Sequence, residues 1–256
     1  DGIAPGPTDV IDGVPLSAKK IERRLRNLGR APLGMEEGAG FRISIAGAQE
    51  KTALLYHAKK WMEPRGATPT THILKPAMGP MEAYDFSDSV QNEHFCLRLL
   101  NAFGLPVAHT EIKRFGKIAA LCIERFDRRL VSRRLVRLPQ EDMCQALSVP
   151  STRKYQDQGG PGMEPIATLL SSSDTPEQDR LDFLKANILF WLMGAVDGHA
   201  KNFSIFLLPG GAFRMTPIYD VLSVQPSFDR GLFPRSRYRM SMKVGKRGRY
   251  RVFDIR

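Results

Sequence analysis

The chain has 256 residues, 42% of them hydrophobic, and carries 38 Lys and Arg against 27 Asp and Glu, for a formal charge of +11. That is enough apolar material for one large domain or two lobes, and no apolar run approaches the roughly 18 to 20 residues that span a bilayer. With no basic segment followed by an apolar core and a cleavage site near the start, the expectation is a cytoplasmic globular protein with no membrane partner.

Residues 1–30 read as a Gly/Pro-rich lead-in, DGIAPGPTDVIDGVP, and a short basic helix, expected to be the remnant of a trimmed N-terminal subdomain. Ser17 is a good N-cap for AKKIERRLRNL, in which Ile21, Leu25 and Leu28 share one face and Gly29 supplies a stop. FRISIA and TALLYH flank GAQEK, and after a charged break THILK runs into Pro76. SDSVQNEHFCLRLLNAFG has helical period, with Ser87 or Ser89 as cap and Gly104 as stop. TEIKRF and IAALCIERF complete a predicted five-stranded antiparallel sheet with one helix against it. Residues 31–126 are therefore expected to form a strand-rich lobe.

Beyond Phe126 the composition turns helical. QEDMCQALS, PIATLLSS and DRLDFLKANILFWLMGAV have helical period, and the last is apolar almost all round, as expected of a central helix. Residues 127–256 are expected to form the helix-rich lobe. The fold class predicted is α+β and two-lobed, a small antiparallel sheet lobe plus a larger, mainly helical lobe, with a ligand cleft between them. Cys96, Cys122 and Cys144 stand at no zinc or redox spacing and read as buried thiols. KKIERRLR, RFDRRLVSRRLVR and the basic tail RSRYRMSMKVGKRGRYR should attract anions: nucleotide, nucleic acid or an acidic partner.

The stretch AVDGHAKNFSIFLLPGGAFRMTPIYDVLS, residues 195–223, carries the densest polar cluster. Folding FSIFLL and AFRMTPIY about Pro209-Gly210-Gly211 sets Asn202 opposite about Tyr219, so that Asp220 comes within about one residue of Asn202. An amide oxygen and a carboxylate are hard ligands suited to Mg²⁺. Asp197, five residues before Asn202, has the spacing of a kinase catalytic base relative to its metal-binding Asn. The alternative at this point is a loop in which Asp197 caps a helix end and Asn202 closes a turn. Upstream, Ala46, Gly47 and Ala48 would let backbone amides approach phosphate, and Lys51 would add charge, although a plain hairpin turn reads the same way. Lys75 ends an apolar strand, with Glu93 as its candidate partner on the following helix.

FRISIAGAQEKTALL, TPTTHILK, ERFDRR, RLPQEDMCQAL, YQDQGGPG, DGHAKNFSIF and TPIYDVLS together resemble the HipA serine/threonine-protein kinases, toxins of bacterial toxin–antitoxin pairs. The resemblance is nearly collinear over about residues 32 to 256 and implies a two-lobed, protein-kinase-like architecture with the ATP cleft between the lobes. It implies Asp197 as catalytic base, Asn202 and Asp220 as Mg²⁺ ligands, and Ala46, Gly47, Ala48, Gln49, Glu50 and Lys51 as the phosphate loop. It also implies ATP contacts at Lys75, Glu124, Arg125, Phe126, His199, Ala200, Lys201, Asn202 and Asp220, and autophosphorylation at Ser44 that switches the enzyme off. The implied cofactors are ATP and Mg²⁺. The implied partners are a HipB-like helix-turn-helix antitoxin, operator DNA through the antitoxin complex, and an aminoacyl-tRNA synthetase substrate, glutamyl-tRNA synthetase first. The competing readings are a non-catalytic DNA-bound co-repressor subunit and a small-molecule or lipid kinase of the same fold.

Overall fold

The structure, a computed structural model, describes residues 10–28, 49–81 and 84–244. The expected strand FRISIA, the stop at Gly29 and the last seven residues of the basic tail, 245–251, lie outside the described residues. The chain divides into two compact units, both discontinuous in sequence. One takes the chain up to Gly79, Ser87–His94 and His109–Leu138; the other takes Pro80–Phe86, Phe95–Ala108 and the chain from Pro139 onward. The first unit thus runs on to Leu138, while the sequence set its boundaries after residue 30 and after Phe126.

In the first unit, β1 (Gly13–Pro15) leads into α1 (Ala18–Arg26). The Ser17 side chain accepts from Lys20 N as expected, and Arg23, Arg24 and Arg26 crowd the last turn, where the helix dipole favours cations. The strands that follow are β2 (Thr52–His57), β3 (Lys60–Pro64) and β4 (His72–Pro76). Strands β5 (Gly79–Met81) and β6 (Tyr84–Phe86) form a separate pair that belongs, but for Gly79, to the second unit, and the α2 helix (Ser89–Ala102) that follows is divided after His94 between the two. Strands β7 (Thr110–Phe115) and β8 (Ile118–Glu124) complete a six-stranded sheet of order β1-β3-β2-β4-β8-β7, antiparallel at every pairing.

This corrects the five-stranded expectation among the described residues. β1 lies in the Gly/Pro-rich lead-in, and β3 in the charged break after TALLYH. The helix packed on this sheet is α1, whose Ile21, Leu25 and Leu28 bury against Leu54, Leu74, Phe115, Ala120 and Cys122. Each such aliphatic chain contributes about 1.5–3 kcal/mol. β9 (Arg128–Val131) and β10 (Arg134–Arg137) form a basic two-stranded ribbon turning at Ser132 and Arg133.

In the second unit, β11 (Gln140–Asp142) precedes α3 (Met143–Ala146). The helix expected over QEDMCQALS is therefore only four residues long: Asp142 caps it in a capping box with Gln145, and the residues before that cap pair as a strand with Ser204–Phe206. α4 (Met163–Leu170) and α5 (Pro176–Met193) are the two longer helices predicted there. β12 (Ser204–Leu207) and β13 (Phe213–Met215) extend the sheet to β11-β12-β13, and α6 (Gln225–Asp229) follows.

The core of this unit gathers Phe183, Phe190, Phe203, Met143, Ile166, Leu170 and Ile205. The central-helix expectation holds for only one face of α5. Phe183, Ala186, Asn187, Leu189 and Phe190 are buried, while Leu181, Leu184, Ile188 and Leu192, spaced by three and four residues, are exposed.

Candidate functional site

The polar cluster is placed by the end of α5. Gly194 takes φ 69°, left-handed and cheap only for glycine, and Ala195 N–H donates to Phe190 O, so the helix stops there. The outgoing chain is then anchored twice: Gly194 O accepts from Val224 N, and Val196 O accepts from both the amide and the hydroxyl of Ser241, the latter at 2.6 Å. Asp197 follows at the surface, its side chain 64% exposed. Gly198 comes next because a Cβ there would stand 2.6 Å from the Phe190 ring. His199 N–H donates to Asp197 O at 2.7 Å, and Ala200–Asn202 form a single 3-10 turn into β12.

Three side chains meet ahead of this turn, and Asn202 ends it. Tyr155 donates its hydroxyl to Asp197 Oδ1 at 2.8 Å, and His199 Nε2 lies 3.9 Å from Asp197 Oδ2. The Tyr155 and His199 rings meet edge to face at 5.0 Å. His199 is buried, and burial pushes its pKa below the ordinary value, opposed by the Asp197 carboxylate and reinforced by Lys154. Its Nδ1 has no hydrogen-bond partner among the described residues.

Asn202 is the most informative residue of the turn. It is 4% exposed, and its amide nitrogen donates to Asp220 O at 3.0 Å, which turns the amide oxygen away from that contact. That oxygen is buried and finds no partner among the described residues. A buried orphan carbonyl costs about 1–3 kcal/mol, so its retention calls for a ligand. Asp220 sits in the left-handed region at φ 59°, unusual for a residue other than glycine. An unpartnered amide oxygen adjoining an Asp is a donor set fit for Mg²⁺ completed by phosphate and water oxygens. No group of three or more His, Cys, Asp or Glu converges among the described residues.

The β12–β13 register is Ile205↔Met215 and Phe206↔Arg214, one residue off the expected pairing, and Asn202 still reaches Asp220. Lys201 is tied to Asp142 at 2.6 Å, and its carbonyl accepts from Tyr219 OH. Ala200 is fully buried.

In the first unit, β4 presents Leu74 to the α1 face of the sheet, so Lys75 projects from the opposite face. There its Nζ donates to both Glu93 oxygens, at 2.9 and 3.1 Å. Lys51 is buried just before β2, Glu50 is exposed and Gln49 half-buried. Ser44, Ala46, Gly47 and Ala48 lie outside the described residues. Glu124 and Arg125 already donate their backbone N–H groups, to His109 O and Thr71 O respectively. The ATP contacts that the resemblance implies at Glu124 and Arg125 would therefore have to come from groups other than these two amides.

Arg125 grips Asp127 through two bonds of 3.0 and 2.8 Å, and Arg128 reaches the same carboxylate at 2.7 Å. Burial alone would raise the Asp127 pKa, but the two guanidiniums hold it below the ordinary value; burial brings Arg128 down to about 10. Sequence reasoning gave no role to Tyr155 or Asp142. The capping-box spacing announced Asp142, whereas only the quoted YQDQGGPG motif pointed toward Tyr155.

The sequence profile described as the HipA-like C-terminal domain matches residues 43–255. The chain belongs to that family. It is 37% identical over 249 residues to Y4mE of Sinorhizobium fredii, a protein named a kinase only provisionally, covering 96% of this chain and 56% of that one. It is 32% identical over 223 residues to the serine/threonine-protein kinase toxin HipA of Shewanella oneidensis, covering 82% of this chain and 49% of the relative. Among solved structures, HipA of Shewanella oneidensis in complex with HipB and operator DNA matches with a TM-score of 0.72 at 28% identity, over 94% of this chain and 55% of that one. The chain thus spans about half the length of the curated relatives it matches, and its α+β fold is the HipA kinase fold.

Proposed function

We propose that the chain is the phosphotransferase part of an ATP- and Mg²⁺-dependent serine/threonine protein kinase of HipA type. The observation that carries this reading is the buried, unpartnered oxygen of Asn202 beside Asp220, five residues after an exposed Asp197. Asn202 and Asp220 would hold the metal, which when bound offsets negative charge on the transferring phosphoryl group. Asp197 accepts the proton of the acceptor hydroxyl as that oxygen attacks the γ-phosphorus and the bond to ADP breaks. Lys75, fixed by Glu93, meets the nucleotide phosphates together with the loop from Ala46 to Lys51, and His199 to Asn202 add nucleotide contacts. In this reading residues 31–126 hold the nucleotide and residues 127–256 carry the transfer chemistry.

The finer features follow the family. The chain acts as a toxin, its acceptor is an aminoacyl-tRNA synthetase, glutamyl-tRNA synthetase first, and phosphorylation of Ser44 switches it off. A phosphoserine there adds about two negative charges beside a site built for ATP phosphates, and like charges repel. A HipB-like antitoxin and, through it, operator DNA are the proposed partners, supported by the solved relative in complex with both.

The test is incubation with radiolabelled ATP and Mg²⁺, alone and with bacterial lysate, beside an Asp197→Ala control. Labelling by the wild type alone supports the kinase, and equal labelling by both proteins removes it. Mass spectrometry then locates phosphate on Ser44, and unchanged self-labelling of Ser44→Ala would rule out that serine as the acceptor.

A further inference from the structure

Asp197 stands in a loop with a largely exposed side chain, which by itself leaves the carboxylate free to rotate. A general base must nevertheless present one oxygen to the acceptor hydroxyl within hydrogen-bond reach. Among the described residues the carboxylate accepts one side-chain hydrogen bond, from Tyr155, and that bond goes to Oδ1. His199 Nε2 lies beyond hydrogen-bond distance of Oδ2. One oxygen is therefore engaged and the other open.

Tyr155 is itself firmly placed. Its ring rests edge to face on the buried His199 ring, and Lys154 Nζ lies 4.9 Å from the ring centroid. Its carbonyl accepts from Gln158 N and Gly160 N, closing a tight turn. Gly160 is demanded there, because a Cβ would meet Arg153 O at 2.0 Å and Tyr155 O at 2.8 Å. A Cβ at Gly162 would displace the Gln156 amide, whose oxygen accepts from Lys243 N at 2.6 Å. The motif YQDQGGPG is accounted for as a scaffold whose first residue reaches Asp197.

We propose that Tyr155 is a positioning residue of the transfer site: its hydroxyl locks Asp197 Oδ1, so that Oδ2 is the oxygen presented to the acceptor hydroxyl. This rests on the kinase reading above. The acceptor O–H proton passes to Oδ2 while its oxygen forms the new bond to the γ-phosphorus and the bond to the ADP oxygen breaks. Tyr155 keeps its own proton throughout. Lys201, the cation inside the DGHAKN segment, is bound to Asp142, so it is not what orients Asp197.

The decisive variant is Tyr155→Phe, which removes the hydroxyl and keeps the ring against His199 and Lys154. Phosphoryl transfer from ATP, to the full chain itself and to water, is measured against ATP concentration in Mg²⁺, together with thermal unfolding. The expected result is a fall in maximal rate on the order of tenfold or more, with unchanged half-saturating ATP and unchanged melting temperature, as for a misplaced catalytic group. Tyr155→Ala should lose at least as much rate and also melt earlier.

If Tyr155→Phe turns over at the wild-type rate while only Tyr155→Ala falls, the residue is structural and the proposal is wrong. A higher half-saturating ATP at unchanged rate also overturns it, because the hydroxyl would then be a binding group. A wild-type chain that transfers no phosphoryl group at all sinks the kinase reading first, and this proposal with it.

Discussion

Lys75 and Glu93 have side chains 6% and 1% exposed and bond each other twice, whereas Asp197 is 64% exposed and Asn202 keeps a buried oxygen without a partner among the described residues. The first arrangement is electrostatically complete without ligand; the second has capacity left over. A buried pair that satisfies itself holds a cation in a fixed place, at a desolvation cost that makes either partner intolerable alone. An open carboxylate and an orphan amide oxygen contribute little to folding and much to whatever binds there. Stability and activity should therefore separate between the two places.

The largest separation is expected at Asp197. Asp197→Asn should lower phosphoryl transfer by about 10²- to 10⁴-fold, the usual worth of a general base, while the exposed position leaves the urea midpoint unchanged. A variant that unfolds earlier would show that Asp197 belongs with the structural charges after all.

Lys75→Met should do the reverse as well as disturb nucleotide binding. It strands Glu93 in a buried site, and breaking such a pair costs about 3–5 kcal/mol. Combining Lys75→Met with Glu93→Leu should recover most of that stability and none of the ATP affinity, as read by denaturant unfolding and by fluorescent-nucleotide titration. Recovery of both would mean that the pair is a packing device only.

Asn202→Ala comes next. It gives up one hydrogen bond to Asp220 O, worth about 1 kcal/mol, and simultaneously removes a buried oxygen that has no partner among the described residues. The net change in stability should be within about 1 kcal/mol, yet Mg²⁺ should no longer strengthen ATP binding. A loss of several times that in stability, with Mg²⁺ dependence intact, would make Asn202 an ordinary turn residue.

Both places were legible in the sequence to different depths. Lys75 and Glu93 could be paired because a charge at the end of an apolar strand needs a partner and the next helix offers one. Asn202 and Asp220 could be paired because Pro209-Gly210-Gly211 fixes a hairpin centre, and a register error of one residue did not separate them. Tyr155 could not be tied to Asp197, since the two stand 42 positions apart with α4 and α5 between them and no local period carries that contact. β3 was hidden for a related reason: the β2–β3 turn places Ala58 and Lys59 at φ 47° and 60°, where Asn or Gly would have announced a hairpin. The exposed face of α5 failed differently, because an apolar period states which residues avoid water on average and not which of two apolar faces packs inward.

The smallest effect concerns protons and bears on each unit by itself. His199 in one and His72 in the other are both held below the ordinary histidine pKa, in each case chiefly by burial. Asp197 and Asp220 pull His199 back upward and Lys154 pushes it down; Glu124 and Glu111 raise His72, while Lys113 and His109 lower it. As pH falls through the unfolded value of 6.5, the unfolded chain takes up protons that the folded histidines refuse. Stability therefore declines across the window from 6.5 down to the lowered folded values and levels off below it, with no contribution from these groups at higher pH. Urea midpoints measured from pH 8 to pH 5 should show that decline. His199→Gln and His72→Gln should each remove part of it, and the double variant more than either. If His199→Gln leaves the slope untouched, its ring takes a proton in the folded protein as readily as in water, and the open cluster is more solvated than its geometry indicates.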